Sequence, residues 1–263
     1  MRHGDEAGSD GGALTAAKLL AGFVLAMALG AGSAHAADID GQKIQIAATE
    51  RKVDLTYFRS PRDGKRPAVL LLHGAGGFDG QIAAYKQYCS TLAEAGIDAY
   101  LVYYYSATDQ IQMRQDGDTF GRRYSAWAKL VDDLADKIAA GTDSNGKVGL
   151  IGFSNGGILA SGASARDAKI NAAVIYYGGA PWYTLGPVNH FPPLLILHGD
   201  ADQTIPVREA QMLANFARQF GGDPELVIYP GESHGFGSRL ATKDGADALT
   251  RTVAFLKKQL DAK

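Results

Sequence analysis

The apolar and polar positions of this chain fall into two successive patterns. Ile44-Gln45-Ile46-Ala47 and Val53-Asp54-Leu55-Thr56-Tyr57-Phe58 alternate, as antiparallel strands with one solvated face do. After the turn cluster Ser60-Pro61-Arg62-Asp63-Gly64 the alternation stops. Ala68-Val69-Leu70-Leu71-Leu72 is apolar throughout, the mark of a strand covered on both faces. Similar runs return at 99–103, 148–151, 172–176, 194–197 and 226–229. Segments of helical period fill most of the intervals, roughly Gln81 to Ala95, Tyr124 to Ala140, Gly156 to Ala165, Val207 to Phe220 and Gly245 to Leu260. Strands alternating with helices predict an α/β fold. The expectation is a mostly parallel sheet of about eight strands, with helices on both faces and antiparallel strands at the front.

The N-terminus reads differently. From Lys18, residues 19–30 are apolar and uncharged, and the run ends in Ala34-His35-Ala36, small residues where a signal peptidase reads. The apolar part falls short of the roughly 20 residues that span a bilayer. Residues 1–36 are therefore expected to be a signal peptide, cleaved to leave no stable membrane anchor, with the mature protein periplasmic or secreted. No repeat, low-complexity tract or linker interrupts residues 37–263, which are expected to form a single domain. In a chain of 263 residues, 46% of them hydrophobic, that leaves ample material for one large core. The formal net charge of −2 supplies no basic field for nucleic acid. Cys89 is the only cysteine, so no intramolecular disulfide can form, and a buried structural thiol is expected.

Candidate chemistry begins at residue 148. The apolar strand Val148–Ile151 runs into Gly152-Phe153-Ser154-Asn155-Gly156-Gly157, with a helix following. This is G-x-S-x-G in the strand–turn–helix setting that exposes a serine at the sheet's C-terminal edge. A serine hydroxyl is a weak nucleophile that needs a base, and the base needs an orienting acid. In this arrangement both follow later in the chain, acid first. Strand 194–197 ends in His198-Gly199-Asp200-Ala201-Asp202, and strand 226–229 leads to Ser233-His234-Gly235-Phe236. Of the six histidines, His234 alone combines the right order, the right edge and a flanking glycine. His73 and His198 end strands, where a hydrogen bond to loop backbone is the expected role. Either Asp200 or Asp202 could be the acid. Donors for a developing oxyanion are expected from the backbone N–H of Asn155 and, on the loop His73-Gly74-Ala75-Gly76-Gly77, of Ala75. There is no H-E-x-x-H, no cysteine pair and no G-x-G-x-x-G after a strand, so neither metal nor cofactor is expected.

These motifs carry a resemblance to the dienelactone hydrolase family of the α/β-hydrolase superfamily, from about Ala68 to Leu260. It rests on Leu72-His73-Gly74-Ala75-Gly76-Gly77, Gly152-Phe153-Ser154-Asn155-Gly156-Gly157, His198-Gly199-Asp200-Ala201-Asp202 with Ile205-Pro206, and His234-Gly235-Phe236. The resemblance implies an α/β-hydrolase fold, a Ser154–His234–Asp202 triad, and Ala75 and Asn155 as oxyanion donors. The enzymes that give the family its name carry Cys where this chain has Ser154, and Glu where it has Gly74. A general carboxylesterase acting on a small-molecule ester through an acyl-enzyme is therefore the activity implied. Thioesterase, lactonase and polyester depolymerase activity are alternatives on the same triad. A peptidase of the prolyl-oligopeptidase type would normally bring a large gating domain as well. From another class, a non-catalytic binding protein on the same scaffold is the rival reading. Two aromatic segments, Tyr103 to Tyr124 (with Met113, Phe120, Arg122 and Arg123) and Ala180-Pro181-Trp182-Tyr183, are candidate pocket walls.

Overall fold

A computed structural model describes residues 40–49, 51–116, 118–166, 169–181, 188 and 190–261. The expected leader lies outside them, as do Trp182 and Tyr183. Two alternating segments pair first: β1 (Gln42–Ala48) runs antiparallel to β2 (Arg51–Phe58). The apolar runs then form β3 (Arg66–Leu72), β4 (Asp98–Val102), β5 (Ser144–Phe153), β6 (Ile170–Tyr176), β7 (Leu194–Gly199) and β8 (Pro224–Tyr229). One eight-stranded sheet results, in the order β1-β2-β4-β3-β5-β6-β7-β8. β2 meets β4 antiparallel, and every pairing from β4 to β8 is parallel. The α/β expectation therefore holds, including the antiparallel strands at one edge.

Alternation along each strand divides the core between two faces, because successive side chains point to opposite sides. Leu70, Leu72, Leu150, Ile175 and Ile196 pack with α3 (Thr119–Ala139), α4 (Asn155–Arg166) and α5 (Val207–Gln219). Val69, Leu71, Ile151, Val174 and Leu197 pack on the other face, with α1 (Ile82–Glu94) and α6 (Lys243–Asp261). Cys89 is wholly buried in that second layer, where burial pushes its thiol far above the ordinary range. It is a packing residue, as expected.

The structure adds one element to the expected set. The Tyr103 to Tyr124 segment is mostly helical: α2 (Ala107–Gln115) precedes α3, which starts at Thr119 rather than near Tyr124. The sequence of α2, Ala-Thr-Asp-Gln-Ile-Gln-Met-Arg-Gln, has no apolar stripe for periodicity to detect. A capping box starts it: the Ser106 hydroxyl accepts the Asp109 N–H at 3.1 Å, and the Asp109 carboxylate accepts the Ser106 N–H at 2.9 Å.

The two ends of the sheet differ in character. Near the N-terminal ends of β3 and β4, the buried pair Arg66–Asp98 closes at 3.0 Å, and Asp98 also accepts from Tyr57 Oη and the Ser60 N–H. At the C-terminal end the chain crosses from β3 to β4 on one side and returns to β5 on the other. Such a reversal leaves a crevice beyond the strand ends, where open α/β sheets place their ligands.

Candidate active site

β5 ends at Phe153 and α4 opens at Asn155, so Ser154 alone makes the turn between them. Its φ of 54° lies in the left-handed region that a non-glycine residue seldom adopts. The neighbours hold it there: its N–H donates to Tyr176 O at 3.0 Å, and its carbonyl accepts from the Ile158 N–H at 3.0 Å. Two glycines make the turn possible through close approach. A Cβ at Gly152 would lie 2.1 Å from Gly156 O, and one at Gly156 would lie 2.3 Å from Leu72 O. That is the physical content of G-x-S-x-G here.

His234 reaches the serine from the loop after β8. Its Nε2 lies 2.9 Å from Ser154 Oγ, and its Nδ1 lies 2.7 Å from Asp202 Oδ2. In the neutral imidazole that fits both contacts, Nδ1–H donates to the carboxylate and Nε2 accepts the serine hydroxyl. The Asp202 side chain is completely buried, and its Oδ1 accepts the N–H groups of Thr204 (2.8 Å) and Ile205 (2.9 Å). Asp200, the other acid left open by the sequence, is exposed and turned elsewhere. Its Oδ1 accepts the Gly231 N–H at 2.6 Å and ties the β7 loop to the β8 loop. The Tyr177 ring stands against the His234 imidazole, 4.8 Å between centroids.

Asn155 is the first residue of α4, and the opening N–H groups of a helix have no partner within it. Ala75 sits on the loop after β3, which passes directly over the serine: a Cβ on Gly74 would lie 3.4 Å from Ser154 Cβ. His73 shapes this loop. Burial holds its imidazole neutral, with the pKa pushed down to about 4. The ring stacks on Tyr104 at 4.0 Å, and its Nδ1–H donates to Gly74 O at 2.8 Å. His198 likewise bonds loop backbone, at Ile205 O. Both histidines take the role expected of them.

Around Ser154 and His234 lies a cleft of about 260 Å³, walled by the Gly74–Gly77 loop together with Gln81, Tyr85, Tyr177 and Thr204. Those four side chains were not singled out from the sequence. Tyr177 was accessible to the strand-end rule, since it follows β6 directly. Tyr85 was not, because its helical spacing reads as core. The proposed walls from Tyr103 to Tyr124 need correction. Met113 and Phe120 pack on the core beneath α2 and α3, Arg122 pairs with Asp118 at 2.9 Å, and Arg123 pairs with Asp109 at 2.7 Å. None of the four lines the cleft. Ala180 and Pro181 are buried. A larger depression of about 560 Å³, over Lys43, Gln45, Asp54 and Tyr103, contains none of the residues of the hydrogen-bonded chain. Among the described residues no cluster of His, Cys, Asp and Glu could hold a metal ion.

Comparison with known proteins bears on the family and the fold. A model of the dienelactone hydrolase family matches residues 55–260. An esterase from Pyrobaculum calidifontis superposes with a TM-score of 0.67 at 22% identity, over 84% of this chain and 85% of its own. A dienelactone hydrolase from Anabaena variabilis gives 0.65 at 22%, over 86% and 97%. The acylaminoacyl peptidase of Pyrococcus horikoshii gives 0.65 at 15%; it matches 84% of this chain but only 42% of its own length, so the shared part is the α/β fold alone. With the family model spanning most of the sequence and the eight-stranded sheet in place, the chain belongs to the dienelactone hydrolase family and is a carboxylesterase-type hydrolase of the α/β-hydrolase fold.

Proposed function

We propose that this protein cleaves carboxylic esters with Ser154 as nucleophile, His234 as general base and then acid, and Asp202 as the group that orients the imidazole. The observation that carries the reading is the continuous hydrogen-bonded chain from the buried Asp202 through His234 to Ser154, at 2.7 and 2.9 Å. In the first half-reaction His234 Nε2 takes the hydroxyl proton while Ser154 Oγ bonds to the ester carbon. The resulting oxyanion accepts from the backbone N–H groups of Ala75 and Asn155. The imidazolium then returns its proton to the departing alcohol oxygen, leaving an acyl-serine. In the second half-reaction His234 deprotonates a water that attacks the acyl carbon, and the proton goes back to Ser154 as the carboxylic acid leaves. Asp202 keeps its orientation throughout, its Oδ1 held by two backbone donors.

A fluorophosphonate probe tests the reading directly, because an activated serine is labelled one-to-one. After digestion the label is expected on the peptide containing Gly152-Phe153-Ser154-Asn155-Gly156. Ser154→Ala should abolish labelling and lower kcat on p-nitrophenyl esters by roughly 10⁶, the scale of losing a triad nucleophile. Labelling at another serine or at Cys89, with Ser154→Ala still active, would refute the assignment. A wild-type protein that is neither labelled nor active would favour the binding-protein alternative.

A further inference from the structure

One buried titratable group beside the site has no part in the mechanism above. His198 is the penultimate residue of β7, and its side chain is completely buried. Its Nε2–H donates to Ile205 O at 2.8 Å and lies 3.4 Å from Asp202 Oδ2, the oxygen that also accepts from His234. Ile205 closes the arrangement by donating its own N–H to Asp202 Oδ1 at 2.9 Å. The remaining nitrogen, His198 Nδ1, is buried with no hydrogen-bond partner among the described residues. A stranded polar atom opposes folding, and an apolar side chain of similar volume would avoid that cost. The imidazole is therefore poorly accounted for by stability, and its one bonded nitrogen addresses the Asp202 loop.

We propose that His198 is a positioning residue: its neutral imidazole fixes the Ile205 carbonyl and faces Asp202 Oδ2, holding the acid in line with His234. The proposal rests on the Ser154–His234–Asp202 reading. Burial keeps the ring uncharged, its pKa below the ordinary histidine value, although Asp202 and Glu209 both face it and favour the charged form; His234 opposes charging. The Ile205 carbonyl requires the proton on Nε2, so the N–H bonded to that carbonyl also lies beside Asp202 Oδ2, at 3.4 Å. Removing that N–H dipole from beside Oδ2 leaves the carboxylate more basic, and a more basic carboxylate stabilises the His234 imidazolium more strongly. The acid limb of the pH profile must then move to higher pH. A residue that merely filled space would leave the limb where it is.

The test compares full-length wild type, His198→Phe and His198→Gln, with kcat and KM for p-nitrophenyl acetate measured across pH and melting curves alongside. His198→Phe should lower kcat about 10- to 100-fold, the scale of a small misplacement of a reacting group, with KM nearly unchanged. Its acid limb should rise by a few tenths of a pH unit. His198→Gln, whose amide N–H can take the place of Nε2–H, should recover most of kcat and return the limb toward wild type. If His198→Phe does not fold, His198→Met takes its place in the same comparison. A folded apolar variant with unchanged kcat and limb overturns the proposal. So do apolar and Gln variants that lose kcat equally with the limb unmoved. A wild type that is neither labelled by the phosphonate nor active overturns the Ser154 reading itself, a result distinct from either of these.

Discussion

Asp200 and Asp202 share one loop, yet their surroundings assign them opposite tasks. Asp202 is fully buried and points one oxygen at His234, whereas Asp200 is exposed and clasps the Gly231 N–H. Asp202→Asn should lower kcat by about 10⁴, because an amide donor opposite Nδ1 favours the wrong imidazole tautomer. Asp200→Asn keeps an acceptor for Gly231 and should cost far less. Steady-state kinetics on a p-nitrophenyl ester decide between them, and the reverse ranking would reassign the acid. The sequence made the serine, the histidine and the order of the acid legible through their places after strand ends. Spacing alone left the choice of acid open, since both aspartates follow the same strand. The direction of the loop settles the geometry: the Asp202 carboxylate folds back onto the N–H groups of Thr204 and Ile205, and that turn presents its other oxygen to His234.

At the scale of elements, α2 was the part hidden from periodicity. It is held by Asp109 rather than by an apolar face. That carboxylate accepts from the Ser106 N–H, from Trp127 Nε1 at 3.2 Å and from Arg123 Nε at 2.7 Å, while only 1% exposed. Asp109→Ala should cost about 2–4 kcal/mol, combining a lost cap with buried donors left unpaired. Burial pushes the Asp109 pKa up, but its bonds to Ser106, Arg123 and Trp127 outweigh that and hold it below the ordinary carboxylate value. A depressed native value means the stabilisation is complete above the unfolded pKa, near 3.9, and fades as pH falls through the lower native one. Urea melts of wild type and variant at pH 7 and pH 3 should therefore show a gap that narrows with acid; an unchanged gap would refute the ionic account. The strands and the other helices were legible because burial imprints on them an alternation, an unbroken apolar run or a helical period. Ser106-x-x-Asp109 was a local signal of a kind that hydrophobic counting passes over.

Across the whole molecule, the alternation of strands and helices was legible in the chain but their order in the sheet was not. A run buried on both faces reads the same wherever it stands, so the insertion of β4 between β2 and β3 had no signature. That order separates two tasks. The Arg66–Asp98 pair and its partners fasten one end of the sheet, while the hydrogen-bonded chain spans the other. Within that span the partners have unequal anchorage. Ser154 leaves β5, which has neighbours on both sides, whereas His234, 80 residues later, follows β8, paired among the described residues only with β7. Outer strands open locally at lower free energy than central ones. Heating should therefore separate His234 from Ser154 while the middle of the sheet remains intact. The midpoint of reversible activity loss, assayed during a temperature ramp, should fall below the far-ultraviolet circular dichroism midpoint, and amides of β8 should exchange hydrogen before those of β3 and β5. Coincident midpoints would mean that the sheet yields as one cooperative unit. In the expected case, the working temperature range is set by how firmly the last strand stays docked rather than by the stability of the fold.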